Sequence, residues 1–213
     1  MVVLFSPSEG KCAGGSGRFR DVQGRLLGGI KARRELIQAY EVMLNGSADD
    51  QAALTGWKDP AKVAQLPTHL DEAPVLPAIE RYTGVGYQYL DVPSLESEAR
   101  MYLEERVLIF SNLLGPIRAG DLISETKCKQ RRALGGIRIA SHYRRLLSDA
   151  IDDWIGDRPV LDLRAEAYKA FYTPRTPTVS CQFFKIVQVV SHLSKACRVL
   201  LLRAAAQQQV YSI

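Results

Sequence analysis

Short unbroken apolar runs alternate along this chain with stretches in which apolar residues return every third or fourth position. Val2 to Phe5, Val107 to Phe110 and Pro159 to Leu163 are runs closed by turn-forming residues, the pattern of strands buried on both faces. Val179 to Val190 reads as a longer strand. Helical spacing runs from Ile30 to Leu44 and stops at Asn45-Gly46, and a weaker version spans Thr55 to Gln65. From His142 to Trp154 the residues Leu146, Leu147, Ala150, Ile151 and Trp154 share a face, ending at Gly156. Leu95, Ala99, Tyr102 and Leu103 share another, on a helix that Ser94 would cap. Leu193, Ala196, Cys197, Leu200, Leu201 and Ala204 form the stripe of a C-terminal helix capped by Ser191 or Ser194. Tyr82 to Leu90 interleaves aromatics with glycines and fits a bent strand or a packed loop. Interleaved strands and helices predict an α/β or α+β fold, a single compact domain over residues 1–213 whose mixed sheet is flanked by helices.

Charge changes that picture more through its placement than its total. The net charge is +5 and the pI near 9.1. Residues 11–34 carry seven bases against one acid, residues 41–105 twelve acids against four bases, residues 118–145 eight bases against two acids, and residues 164–213 seven against one. A fold that gathers the basic segments makes a positive surface for phosphates; one that scatters them makes an ordinary solvated surface. No apolar stretch approaches the roughly 18 residues of a membrane span, and the N-terminus lacks a leader pattern, so a cytoplasmic protein without membrane contact is expected. Cys12, Cys128, Cys181 and Cys197 include no CxxC pair and only three histidines accompany them, so reduced thiols are expected rather than a metal site, and no cofactor is implied.

Candidate chemistry sits where strand-like runs give way to loops. Ser6-Pro7-Ser8-Glu9-Gly10-Lys11 follows the first strand and resembles a phosphate loop only loosely, because the GxxxxGK[ST] spacing is absent. Ser8, Glu9 and Lys11 remain able to hold a small anion. Arg118, Lys127, Lys195 and Arg198 are further candidates for phosphate contact, with Gly115 letting backbone approach closely; each single base has a solvated surface charge as its plain alternative. Tyr82, Tyr87 and Tyr89 would stack on unpaired bases or pack in the core. Asp121 and Asp162 would orient a base, cap a helix or act as acid-base groups, with capping or an internal ion pair the first expectation.

Five segments in one order carry a resemblance: Ser6 to Lys11, Tyr82-Thr83-Gly84, Phe110 to Leu122, Asp162-Leu163-Arg164-Ala165-Glu166-Ala167-Tyr168, and Ser194-Lys195-Ala196-Cys197-Arg198. Together they resemble the YaaA family of bacterial peroxide-stress proteins over nearly the whole chain. The resemblance implies a fold peculiar to that family, protection during peroxide stress by limiting damage linked to free iron, and DNA binding through a helix-hairpin-helix-like element, placed here near residues 110–122. Asn112 stands where the family has a glycine, and Ala119-Gly120 replaces its proline region. The first expectation is thus a non-enzymatic protein that binds distorted or partly unpaired DNA with low sequence specificity. The alternative is an enzyme acting on a nucleotide or nucleobase in a basic cleft, with Asp121, Asp162 and Tyr168 as catalytic candidates beside Lys11, Tyr82 and Arg118.

Overall fold

A computed structural model describes residues 1–130, 133–181 and 191–212, the side chains of residues 191–195 excepted. Among these the strands are β1 (Val2–Phe5), β2 (Gly10–Lys11), β3 (Val75–Pro77), β4 (Tyr82–Thr83), β5 (Val107–Ser111), β6 (Gly115–Arg118), β7 (Leu122–Ser124), β8 (Ala133–Leu134), β9 (Ile137–Arg138), β10 (Val160–Asp162) and β11 (Thr178–Ser180). The helices are α1 (Phe19–Val22), α2 (Arg34–Leu44), α3 (Ala48–Thr55), α4 (Pro60–Val63), α5 (Ala78–Arg81), α6 (Val85–Leu90), α7 (Ser97–Arg106), α8 (Ile139–Ile155), α9 (Glu166–Lys169) and α10 (Ser191–Gln207).

A five-stranded sheet in the order β11-β10-β1-β5-β6 forms the centre, with β11, β10, β1 and β5 parallel and β6 antiparallel to β5. Every residue of β1 and β5 is buried, which is why both read as apolar runs without alternation. Helices flank this sheet, so the fold is mixed α/β. From β1 the chain crosses to β5 on one side, then returns to β10 on the other. Strand order therefore reverses between β1 and β10, and in open α/β sheets ligands bind outside the carboxyl ends of strands at such a point.

Several local expectations are corrected. The helix expected over 30–44 starts at Arg34, because Gly28 and Gly29 take positive φ and Arg33 folds the preceding turn by binding the carbonyls of Leu27 and Gly29. The helix expected over 55–65 is replaced by α3, opened by a Ser47/Asp50 capping box and closed by left-handed Gly56, and by α4. Tyr82 to Leu90 is a two-residue strand followed by α6. Glu96, not Ser94, precedes α7; the Ser94 hydroxyl donates instead to the Asp91 carbonyl.

The C-terminal helix buries Ala196, Val199, Leu202, Ala205 and Ala206 while Leu200 and Leu201 are exposed, so its inner face is rotated from the expected stripe. Leu146 of α8 is likewise exposed, although Leu147 and Ile151 are buried. Of the strand expected over 179–190, β11 covers Thr178–Ser180 and residues 182–190 lie outside the described residues, as do the side chains of Ser191 and Ser194.

Residues 107–124 run as strands, β5 pairing with β6 from Leu108↔Arg118 to Ser111↔Gly115 and β7 pairing with β3. The turn near residue 113 joins β5 to β6 as a β-hairpin, with α7 preceding β5 and α8 packed on β6. Its glycine has a packing reason: Gly115 lies at φ +68 and an added Cβ would meet the Tyr143 ring at 2.6 Å. Asn112 is absent from the residues with positive φ, so it bears no strain where the family has glycine.

Candidate functional site

Much of the basic sequence is spent inside the protein. Arg33 is fully buried and donates to the carbonyls of Leu114 and Pro116 at 2.8 and 2.7 Å, besides those of Leu27 and Gly29. Arg81, also fully buried, donates to the carbonyls of Ile123, Cys12 and Pro74 at 3.2, 2.7 and 3.0 Å. Both guanidinium groups are driven below their ordinary pKa, chiefly by burial. Arg164 forms a buried fork with Asp162, at 2.9 and 2.7 Å, and covers the face of Phe110. These arginines tie loops together through backbone oxygens, and they cannot belong to a phosphate-binding surface.

At the carboxyl ends of β1 and β10 lies a cleft of about 430 Å³ lined by Ser6, Ser8, Tyr87, Gln130, Tyr168 and Arg198, among others. This is the crevice expected where strand order reverses. The Ser6 hydroxyl accepts from the Ala165 amide at 2.7 Å and the Ser6 carbonyl accepts from the Tyr87 hydroxyl at 3.0 Å, so the loop after β1 is pinned to both walls. Burial pushes the Tyr168 phenol up to about 12, opposed by a hydrogen bond with Asn112.

Behind the same loop, sharing Pro7, Ser8 and Glu9 with the cleft, is a cavity of about 10 Å³ lined by Lys11, Tyr82, Ser111 and Thr126. It has room for about one water. Lys11 pairs with Tyr82 in the β2–β4 ladder; its ammonium donates to the Thr126 carbonyl at 2.7 Å and lies 5.0 Å from the Tyr82 ring centre. Burial lowers the Lys11 pKa to about 8; Cys128 and Glu125 oppose that shift, Lys127 and Arg81 reinforce it.

Tyr82 is 3% exposed and its hydroxyl lacks a well-formed hydrogen bond among the described residues. The neighbouring Ser111 hydroxyl, already accepting from the Leu114 amide, eases but does not offset the burial that raises the phenol's pKa. A third hollow, of about 470 Å³, touches the first through Gln130 and the second through Asn112, and reaches Arg138 at the start of α8. The three adjoin one another around residues 6–9 and 111–113.

The expected site residues therefore divide. Ser8, Lys11, Tyr82, Tyr168 and Arg198 come together. Lys127 lies close behind, its ammonium 3.0 Å from Glu9 and stacked over Trp57. Gly115 is buried beneath Tyr143, so it offers no backbone to a ligand. Arg118 stands opposite Leu108, toward the amino end of β5, where it binds Asp121 at 2.8 Å and the Arg25 carbonyl at 2.6 Å. The convergence of Lys11, Tyr82, Arg118, Asp121, Asp162 and Tyr168 is corrected on this point: Arg118 and Asp121 face a separate groove, and Asp162 is occupied by Arg164. Both aspartates form internal ion pairs, as first expected.

The Lys195 side chain lies outside the described residues. Ser111, Thr126 and Gln130, not singled out in the sequence, also line the site. All four cysteines are free, and no group of three His, Cys, Asp or Glu is gathered among the described residues. No helix among them is long and apolar enough to cross a membrane.

Comparison with known proteins agrees with the resemblance carried by the loop segments. An uncharacterized protein of Campylobacter jejuni is 36% identical over 99% of this chain and 86% of its own length. UPF0246 proteins of Streptomyces coelicolor and Corynebacterium efficiens are 35% and 30% identical, over 93% and 92% of this chain and 80% of each relative. The family described as peroxide stress protein YaaA matches residues 1–213, and the chain belongs to that family.

Proposed function

We propose that this peroxide-stress protein binds DNA by taking an unpaired nucleotide unit into the cleft at the carboxyl ends of β1, β5 and β10. The observation that carries this reading is the meeting of Lys11, Arg198 and the buried Tyr82 hydroxyl, which lacks a well-formed hydrogen bond among the described residues, around adjoining hollows at the strand-order reversal. Arg198 suits a phosphate, the tyrosine-lined wall suits a ring, and the small cavity suits a single oxygen atom. Exposed Arg138 lines the third hollow, where a strand would continue. A duplex could not enter so narrow a cleft, so distorted or partly unpaired DNA is the favoured form. Shielding of bound DNA from iron-driven peroxide damage would follow from that contact.

The second reading, an enzyme acting on a free nucleotide, shares the cleft; what favours it is the depth at which Lys11 and Tyr82 lie. Of the earlier catalytic candidates only Tyr168 lines this cleft. The test is binding of duplex, bubble and single-stranded DNA and of mononucleotides across a salt series. Salt-steep binding of unpaired DNA, weakened by Arg198→Ala and unchanged by Arg118→Ala, supports the proposal. Binding of mononucleotides alone selects the second reading, and no binding at low salt overturns both.

A further inference from the structure

We infer that Lys11 is an amine nucleophile for an aldehyde carbon, and that the ligand class is a phosphorylated sugar aldehyde, either free or as the opened sugar of a base-free nucleotide in a strand. This rests on the reading of the cleft as a nucleotide site.

Three features of the geometry carry it. First, among the described residues Lys11 has a carbonyl and an aromatic face as its contacts, with no carboxylate in its hydrogen-bond or salt-bridge reach. The nearby basic partner Lys127 takes Glu9 instead. A lysine meant only to attract anions gains nothing from such a setting, whereas an amine that must shed its proton does. Second, the buried Tyr82 hydroxyl, beside Ser111, shares the one-atom cavity with Lys11 and has its proton to give. Third, that cavity shares Pro7, Ser8 and Glu9 with the larger cleft, so a sugar in the cleft can place its carbonyl oxygen in the small cavity.

The step balances without any further reagent. The Lys11 nitrogen lone pair attacks the carbonyl carbon, and the carbonyl π pair moves to oxygen and takes the Tyr82 proton. The nitrogen then returns a proton to the phenolate, and water leaves as the imine forms. The charged and titratable groups facing Lys11 are Lys127, Arg81, Glu125 and the Cys128 thiol, and burial outweighs their sum. With a pKa of about 8, about a tenth of the amine is free at pH 7, against about three in ten thousand at the ordinary value.

The experiment incubates the full chain with sodium cyanoborohydride and one of two probes: an oligonucleotide carrying a single abasic aldehyde, or ribose 5-phosphate. Adducts are located by intact mass and peptide mapping. A tetrahydrofuran-containing oligonucleotide, which lacks the aldehyde, reports binding separately.

The expected result is one adduct per chain at Lys11, abolished by Lys11→Arg, retained by Lys129→Ala, and increasing with pH through about 8. Trapping of the oligonucleotide but not the free sugar assigns the strand as source, and the reverse assigns the free sugar. Binding of the tetrahydrofuran strand with no adduct, or with adducts spread over surface lysines, overturns the lysine proposal and leaves the cleft reading standing. Absence of both binding and adduct overturns the two together. Because the map is made on the unmodified protein, the outcome does not depend on any variant folding.

Discussion

Near the amino end of β5, Arg118 and Asp121 face a groove of about 470 Å³; near its carboxyl end, Lys11 and Tyr82 line a cavity that shares Pro7, Ser8 and Glu9 with the cleft. Each place sets a base beside a second titratable group, and the two are wired differently. Asp121 accepts from the Arg118 amide at 2.8 Å and from its guanidinium, and Arg118 spends another donor on the Arg25 carbonyl, so both groups are satisfied within the chain. Lys11 and Tyr82 are held in desolvated positions with less compensation than burial costs them. A folded chain keeps such costs where something else depends on them, and a stability measurement separates the two kinds of charge.

The largest effect is expected at charges that serve the fold alone. Arg33→Met leaves the carbonyls of Leu27, Gly29, Leu114 and Pro116 without their donor, and Arg164→Met strands a buried Asp162. Each should cost about 3–5 kcal/mol, the range for breaking a buried charged network from one side. Urea titration followed by circular dichroism checks this. A cost below about 1 kcal/mol would mean that these arginines are not ties, and the distinction between internal and ligand-facing bases would fail.

Lys11→Met is expected to move stability the other way. The folded pKa of Lys11 lies near 8, below the ordinary 10.5, so between those values the unfolded chain binds the extra proton. A group depressed in this sense contributes stability that is present above the unfolded pKa and lost as pH falls through the folded one. Below pH 8 the buried ammonium is therefore a burden, and its replacement should stabilise by about 1–3 kcal/mol, discounted because Lys11 is partly exposed. The gain should shrink toward pH 10.5, while DNA binding is lost. Measurement at pH 7 and pH 10 decides it; equal or lower stability of the variant at pH 7 would place Lys11 with the structural bases.

The strands were more legible than the wiring. The runs at Val2, Val107 and Val160 are apolar without alternation because both faces of the sheet are covered, and that leaves a mark in sequence. The phase of α10 left none: Val199 to Leu202 are four consecutive apolar residues, and only packing selects Val199 and Leu202 as the inner pair. The capping box at Ser47 and Asp50 was readable and marks the start of α3.

At the site, Ser8 and Lys11 stood out because a polar loop followed a buried strand. Ser111 and Thr126 did not, since their roles depend on chain pairings between distant segments. The buried arginines were the hardest to see, because a basic stretch reads as surface until the carbonyls that receive it are known.

Arg198→Ala should weaken binding of unpaired DNA by about tenfold, the loss of one charge-assisted phosphate contact. Fluorescence anisotropy on a labelled single strand measures it. Retention of full affinity would move the phosphate contact to an adjoining hollow, toward Arg138.

The smallest effect is expected at Arg118, and it is the one that tests the contrast between the two ends most directly. Sequence alone makes Arg118 a prime phosphate ligand, since it lies in a basic, family-like segment. The fold places it toward the other end of β5 from the cleft, with its side chain 36% exposed and already bound to Asp121. An ion pair of that exposure is worth about 0.2–1 kcal/mol, so Arg118→Ala should destabilise by no more than that. Burial already raises the Asp121 pKa, and removing the guanidinium takes away an opposing influence, so the carboxyl should rise further. The neutral form then gains, and the small cost of the variant should appear as pH rises above the carboxylate range rather than below it. DNA affinity and its salt slope should stay unchanged. A salt slope reduced by about one in the variant would show that Arg118 contacts phosphate after all, and would shift the binding surface to the amino end of the sheet.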